Sequence, residues 1–410
     1  MNMPENLKSR HLVLVGINLR RERSTGDKNF WSDLLPLIAH AYEYISIFSI
    51  RKEPAEEEVY TIGKTTVKFN FLSPIFLESS DAEYNRPRIF WRHGAFPARL
   101  GAVEKVLSGI RLFRRLRKLY REKPYDRLHL MDNFGLFNQF FVMATPADVS
   151  VSAMAYQGWD TPFYNRYLRL SYNHPAIQVV AYSAALGAKL RSIGITLPLI
   201  RHIHWGVALS AGWPSPEKRK FAKEELSIPP DMPILLWAGY IQQIRRDDFF
   251  LALRWARKAR ENGFKAVFYF AFKPESMEEE FIKYNDPDAG IFIKATSAEE
   301  FTLLKTAADV FYSPLVNKNC VVSPPLTWIE LLSQGVPILT TDAGGTEEVV
   351  VEGKTGSLIR SEGDMERKMR SISKNSGHMA PDCYRLARDS FSIADSAARY
   401  LEFWRSGPVI

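Results

Sequence analysis

The sequence predicts an α/β protein built as two doubly wound, Rossmann-like domains, and three observations carry that expectation. Apolar runs of strand length alternate with helical patterns along the chain, as in parallel sheets covered by helices. At 410 residues the chain exceeds what one hydrophobic core organises, so two domains of roughly 200 residues are expected. The alternating series also occurs twice, on either side of an aperiodic stretch rich in Gly, Pro and Ser, "HWGVALSAGWPSPEKRK" from His204 to Lys220.

In the first half, strands are expected at "HLVLVGI", "YISIFSI", "RLHLMD", "VSVSAM" and "IQVVAYS". In the second they fall at "PILLWAGY", "AVFYFAF", "GIFIKA", "VFYSPL" and "VPILTT", with a helix over Phe249–Asn262 that Gly263 stops. The segment 53–98 reads as irregular. The resulting division is a first domain over 1–206, a linker over 207–220, a second domain over 221–385, and a closing helix in 386–410 that packs back on the first domain.

Composition narrows the class. With 46% hydrophobic and 24% charged residues the chain is globular. Two cysteines, Cys320 and Cys383, are too few for a disulfide framework and fit a reducing compartment. The N-terminal apolar run is too short for a signal peptide, and nowhere do eighteen apolar residues run together, so a cytoplasmic protein without a transmembrane helix is expected. Positive charge is concentrated: residues 1–205 hold 28 Lys and Arg against 18 Asp and Glu, and the remainder 26 against 28. Over Leu100–Arg121 a helical pattern sets Leu100, Val103, Leu107, Ile110 and Phe113 on a core face and Arg111, Arg114, Arg115, Lys118 and Arg121 in a cationic stripe. That stripe suits either plain solvation or a peripheral seat on an anionic membrane. Nucleic acid is not expected, because no recognised binding module accompanies it.

In open parallel sheets ligands bind beyond the carboxyl ends of strands, so the strand-to-helix turns are the places to look. Ser323, Pro324 and Pro325 form a helix entrance, after which Leu326, Ile329 and Leu332 lie on one side and Thr327, Glu330 and Gln334 on another. Spacing alone reads that polar stripe as a solvated face. Downstream, "DAGGTEEVV" puts Gly344 and Gly345 at the end of a strand and opens another helix, a place where backbone N–H groups and a helix dipole favour an anion. A lone Gly-Gly turn is weak evidence; the order helix with Glu330, strand, Gly-Gly turn, helix, "EGKTGSLI" is more specific.

This order resembles the nucleotide-sugar half of glycosyltransferase family 4, retaining enzymes of the GT-B fold. "VVAYSAALGAKLRSIG", "RHIHWGV", "ILLWAGYIQQIRR", "AADVFYSPL" and "FSIADSAARYLEFW" are similar to successive family elements, and Thr327–Gly356 is the strongest part. The resemblance implies that Glu330 holds the donor ribose, since a carboxylate accepts two hydroxyl hydrogen bonds at once. It assigns Gly239, Gly344, Gly345 and Thr346 to the donor loops, and reads Glu348 as structural. Three positions depart from the family. Val322, beside Ser323, stands eight residues before Glu330 where the family has its first glutamate; Tyr240 replaces the arginine after the donor-loop glycine; Arg245 replaces a lysine, with Arg246 placed to compensate. Arg245 would meet the negative charge that builds on the leaving diphosphate, in place of a metal.

On the acceptor side the resemblance points to the first domain. Gly26 and Asp27 follow its first strand, Asp132 and Asn133 follow "RLHL", and Gln157, Trp159 and Asp160 follow "VSVSAM". Asp160 and Asp27 are the catalytic candidates beside Arg245, and Trp159 either stacks on a sugar or fills the core. No metal site is expected: His202 and His204 share a strand face without a third ligand, and Asp286–Asp288 reads as a turn.

The expected activity is metal-independent hexosyl transfer, with retention, from a UDP-, GDP- or ADP-sugar co-substrate to an acceptor that is lipid-linked, phosphorylated or a growing glycan, with no permanently bound cofactor. Val322 and Tyr240 keep two alternatives open: a GT-B protein that binds a nucleotide or partner without transfer, and a GT-B sugar-nucleotide epimerase.

Overall fold

A computed structural model describes residues 11–17, 26–50, 57–72, 95–131, 141–142, 146–153, 162–195, 200–239, 246–274, 279–316 and 323–406. The chain divides into two compact units, one formed by Met1–Trp205 together with Ile393–Ile410, the other by Gly206–Ser392.

In the first unit, β1 (His11–Ile17), β2 (Tyr44–Ile50), β3 (Glu58–Ile62), β4 (Thr65–Leu72), β5 (Arg127–Leu130), β6 (Asp148–Ser152), β7 (Ile177–Ala181) and β8 (Ile200–His202) make one sheet, ordered β3-β4-β2-β1-β5-β6-β7-β8. Every pairing is parallel except the β3–β4 hairpin at one edge. The central strands read as unbroken apolar runs because both faces are covered: Leu12, Val13, Leu14 and Val15 are all buried. The hairpin occupies part of the segment expected to be irregular. Its strands alternate instead, with Thr65, Val67 and Phe69 inward and their neighbours half-exposed, and Gly63 takes the left-handed turn between them.

Helices α1 (Gly26–Ala39), α2 (Ala95–Glu122), α3 (Pro162–Tyr172) and α4 (Ala184–Ser192) complete the crossovers of this unit. The core face of α2 is not the one expected from spacing. Leu112 and Leu116 are fully buried, whereas Ile110 is 39% exposed and Phe113 half-buried, so the inward stripe is phased two residues later. Arg111, Arg114, Arg115, Arg117, Lys118 and Arg121 remain exposed.

The closing helix, Ile393–Ser406, belongs to this unit and packs on α1. Tyr400 lies 5.2 Å from the Trp31 ring, and Trp404 lies 5.5 Å from His129. His129 is wholly buried in β5, its Nδ1 2.8 Å from Ser150 Oγ and its Nε2 3.1 Å from Ser152 Oγ. Two hydroxyls that can each donate or accept satisfy a neutral imidazole, and burial lowers its pKa to about 3.

The second unit contains α5 (Pro216–Glu225), β9 (Ile234–Gly239), α6 (Arg246–Glu261), β10 (Val267–Phe272), α7 (Glu279–Ile282), β11 (Ile291–Ala295), α8 (Ala298–Ala307), β12 (Val310–Ser313), α9 (Leu326–Leu332), β13 (Ile338–Thr341), β14 (Gly356–Ile359) and α10 (Glu362–Ser390). Its sheet is entirely parallel, ordered β11-β10-β9-β12-β13-β14. In α6, Phe249, Leu253 and Trp255 are buried, each contributing about 1.5–3 kcal/mol by leaving water, and Gly263 adopts the positive φ that ends the turn.

One ion pair, between a buried lysine and a half-buried aspartate, fixes the entry to this sheet. Lys223 Nζ of α5 donates to Asp309 Oδ2 at 2.8 Å, and to the carbonyls of Pro230 and Met232. The same Asp309 oxygen accepts the Ile234 N–H at 2.9 Å, so a single carboxylate anchors both the start of β9 and the helix before it. Arg219 adds a second brace, donating to the Ala308 and Gln334 carbonyls at 2.6 Å each. The segment expected as a linker, 207–220, therefore includes the first residues of a helix within the second unit.

Candidate functional site

Strand order decides where a ligand can sit. In the second unit the order reverses between β9 and β12, whose connections leave in opposite directions and open a crevice at their carboxyl ends. Gly239 ends β9, Arg246 opens the helix after it, Ser313 ends β12, and Thr341 ends β13. Of the residues expected to bind a donor, Gly239 and Arg246 thus stand at the carboxyl edge of this sheet.

Four side chains stitch this edge together. Asp248, buried in the first turn of α6, accepts the Val316 N–H at 2.6 Å. Thr341 Oγ1 accepts from Leu315 N and donates to Leu315 O, both at 2.8 Å, and Thr340 Oγ1 donates to Ser313 O at 2.7 Å. Thr346 Oγ1 donates to Ala343 O at 2.5 Å and accepts from Ala343 N at 3.0 Å. The Thr346 side chain is only 1% exposed and is consumed in closing the Gly-Gly turn, with Gly345 at φ 80°. The chain then makes a single 3₁₀ turn, Thr346–Glu348, in place of the expected longer helix. A turn that short has little dipole, so the expectation of an anion held by a helix terminus is corrected.

Glu330 lies on α9 among buried neighbours: Leu326, Trp328, Ile329, Leu331 and Leu332. Its carboxylate is 24% exposed and accepts from Lys305 Nζ of α8 at 3.2 Å through Oε2. It is neither a free solvated acid nor a buried one. The helix begins later than expected, with Pro325 as its N-cap and no side-chain cap bond, so Ser323 lies outside the helix instead of capping it. Gly335 adopts φ 69° and leads into β13. Gly356, in the "EGKTGSLI" stretch, begins β14 so close to its neighbour that an added Cβ would collide with the Ile338 carbonyl.

Arg246 opens α6 and forms an ion pair with Glu280 of α7; its guanidinium lies 5.6 Å from the Phe281 ring and 5.8 Å from the Phe250 ring. Neither Glu280 nor Lys305 was among the residues singled out by sequence. Their partners stand 34 and 25 positions away, on other elements, and no local pattern links them.

Of the remaining expected residues, Gly26 and Asp27 open α1, directly after β1 in the chain order of elements. In the first unit the strand order reverses between β1 and β5, so these two stand at its switch point. Arg245, Val322, Asp132, Asn133, Gln157, Trp159 and Asp160 lie outside the described residues. His202 and His204 have ring centroids 4.1 Å apart, and burial lowers the pKa of both. Asp286 is a turn residue whose Oδ1 accepts the Ala289 N–H at 3.1 Å.

Two parallel α/β units with this strand order place the chain in the GT-B class. Sucrose-phosphate synthase from Thermosynechococcus elongatus superposes with a TM-score of 0.70 at 14% identity, covering 96% of this chain and 98% of that one. HepE from Anabaena, solved in complex with UDP and glucose, gives 0.66 at 12% identity over 97% of this chain and all of the other. Residues 255–389, which run from within α6 to the last turn of α10 in the second unit, match the family described as glycosyl transferases group 1. A D-inositol 3-phosphate glycosyltransferase of Streptomyces bingchenggensis is 27% identical over 261 residues, 57% of this chain and 53% of that protein. The chain thus spans about half the length of the curated relatives it matches.

Proposed function

We propose that this protein is a glycosyltransferase that moves a sugar from a nucleotide-sugar donor to an acceptor, the donor bound by the second unit. The observation that carries the reading is Glu330: a half-buried carboxylate on the helix that follows β12, one of the two strands of the switch point in an all-parallel sheet, inside the segment that matches a glycosyltransferase family. In this reading Glu330 accepts the ribose hydroxyls, and backbone N–H groups of the Gly344-Gly345 turn approach the donor. UDP or UDP-glucose occupies the related HepE, which supports a uridine donor without excluding GDP or ADP.

The chemistry divides between the units. As the sugar–phosphate bond breaks, negative charge builds on the leaving diphosphate, and Arg245 and Arg246 are the cations proposed to receive it. In this reading transfer proceeds with retention and without a metal, as the resemblance to family 4 implies, and Asp27 and Asp160 are the first unit's candidate contacts to the reacting sugar. Gly26, Asp132, Asn133, Gln157 and Trp159 would line the acceptor side. A phosphate-bearing acceptor suits the basic first unit, and a related protein is named for inositol 3-phosphate.

Calorimetric titration with UDP-, GDP- and ADP-sugars tests the proposal. Binding of one of them, weakened at least tenfold by Glu330→Ala, is expected. No binding by any, or unchanged binding in the variant, overturns it.

A further inference from the structure

We infer that Lys305 is the positioning residue of the nucleoside subsite: it holds one oxygen of Glu330, and the pair, not the carboxylate alone, distinguishes ribose from deoxyribose. This rests on the proposed reading of Glu330 as the ribose ligand.

Lys305 reaches Glu330 from a different helix. Its Nζ lies 3.2 Å from Oε2, the two side chains are 22% and 24% exposed, and the ammonium stands 5.2 Å from the Phe301 ring. Among the described residues no donor bonds to Glu330 Oε1. A carboxylate offers about four lone-pair sites, so one bond to Lys305 leaves room for both hydroxyls of a vicinal diol. A ligand gains from the pair in two ways.

The first is orientation. A free glutamate side chain samples several rotamers, and fixing it on binding costs side-chain entropy. Lys305 fixes it beforehand, so the oxygen that meets the diol is aimed before the ligand arrives. The second is charge. A nucleoside diphosphate brings several negative charges, which a lone carboxylate would repel, and an ammonium in contact with that carboxylate cancels most of the repulsion. The ribose hydroxyls therefore gain an acceptor without the diphosphate meeting a net negative site. Deoxyribose supplies one donor fewer and leaves the prepared oxygen under-used.

The experiment compares the diphosphate among UDP, GDP and ADP that binds the wild type most tightly with its 2′-deoxy counterpart. Both are titrated calorimetrically into the wild type, Lys305→Met and Lys305→Arg. The wild type should favour the ribose form by about tenfold. Lys305→Met should weaken both forms through the lost charge but the ribose form about tenfold more, so the preference collapses; Lys305→Arg should keep it within about threefold. The ratio does not depend on the fraction of folded protein, because both ligands meet the same population. A wild-type preference that survives in Lys305→Met overturns the inference while leaving Glu330 as ligand. No binding by the wild type overturns the glycosyltransferase reading, and this inference with it.

Discussion

Arg246 and Glu280 form an ion pair between two neighbouring strand-to-helix connections of the second unit, the one after β9 and the one after β10. Their side chains are 37% and 35% exposed, so the pair is screened and worth no more than about 1 kcal/mol. An interaction that weak can be exchanged for a stronger one. If a diphosphate takes the guanidinium, Glu280 is its competitor, and the two partners have opposite effects. Glu280→Gln should raise nucleoside diphosphate affinity by about two- to fivefold at low salt, while Arg246→Met should lower it. Calorimetry at two salt concentrations measures both; a loss in both variants would mean that the pair only supports the fold.

The Lys223–Asp309 pair is a different case, because Lys223 is buried and its neighbours are carbonyls. Removing the carboxylate strands an ammonium in the interior and also releases the Ile234 N–H. Asp309→Ala should destabilise the second unit by about 3–5 kcal/mol, read as a lowered midpoint in urea unfolding. A shift under about 1 kcal/mol would contradict the role given to this anchor.

Acid should weaken the first unit through His129. Its pKa is depressed by burial from 6.5 to about 3, so the folded state refuses a proton that the unfolded chain accepts. The stability this contributes is complete above pH 6.5 and is lost progressively as pH falls from there toward about 3. Between pH 7 and pH 5 the group accounts for a loss of about 2 kcal/mol. His129→Gln, though less stable at pH 7, should show a pH dependence shallower by about that amount in urea titrations; an unchanged slope would contradict it.

A membrane role for α2 is open to a direct measurement. Six exposed basic residues occur from Arg111 to Arg121 without an intervening acid, and each adds about 1 kcal/mol near an anionic surface. Among the described residues no helix is long and apolar enough to cross a membrane. Vesicles containing phosphatidylserine should bind the protein at low salt, and reversing Arg114, Arg115 and Lys118 to glutamate should abolish binding. Equal binding by the variant would reduce the stripe to a solvated face.

The sequence exposes the strands of both sheets because parallel strands are buried on two faces and appear as apolar runs, as in "AVFYFAF" over β10. It hides the β3–β4 hairpin, where Glu58–Ile62 is largely exposed and only alternation in the next strand marks a sheet. The Gly-Gly turn was legible, but not its sequel, because a hydroxyl–backbone closure by Thr346 leaves no periodic trace. Register along α2 failed for another reason: Leu, Ile and Phe occur on several faces, and only packing selects Leu112 and Leu116. Glu330 stands out as a candidate through its neighbours in the chain, whereas Lys305 and Glu280 exist as partners only once helices are set side by side.

The closing helix has a consequence for how the chain is made. Tyr400 and Trp404 cover Trp31 and His129, yet nearly two hundred residues separate Trp205 from Ile393. At about 5–20 residues per second, the aromatic hollow of the first unit waits roughly 10–40 s on the ribosome for its own lining. The unit that starts emerging second can finish folding first, while the earlier one stays without its aromatic lining until Ile393–Ser406 has emerged.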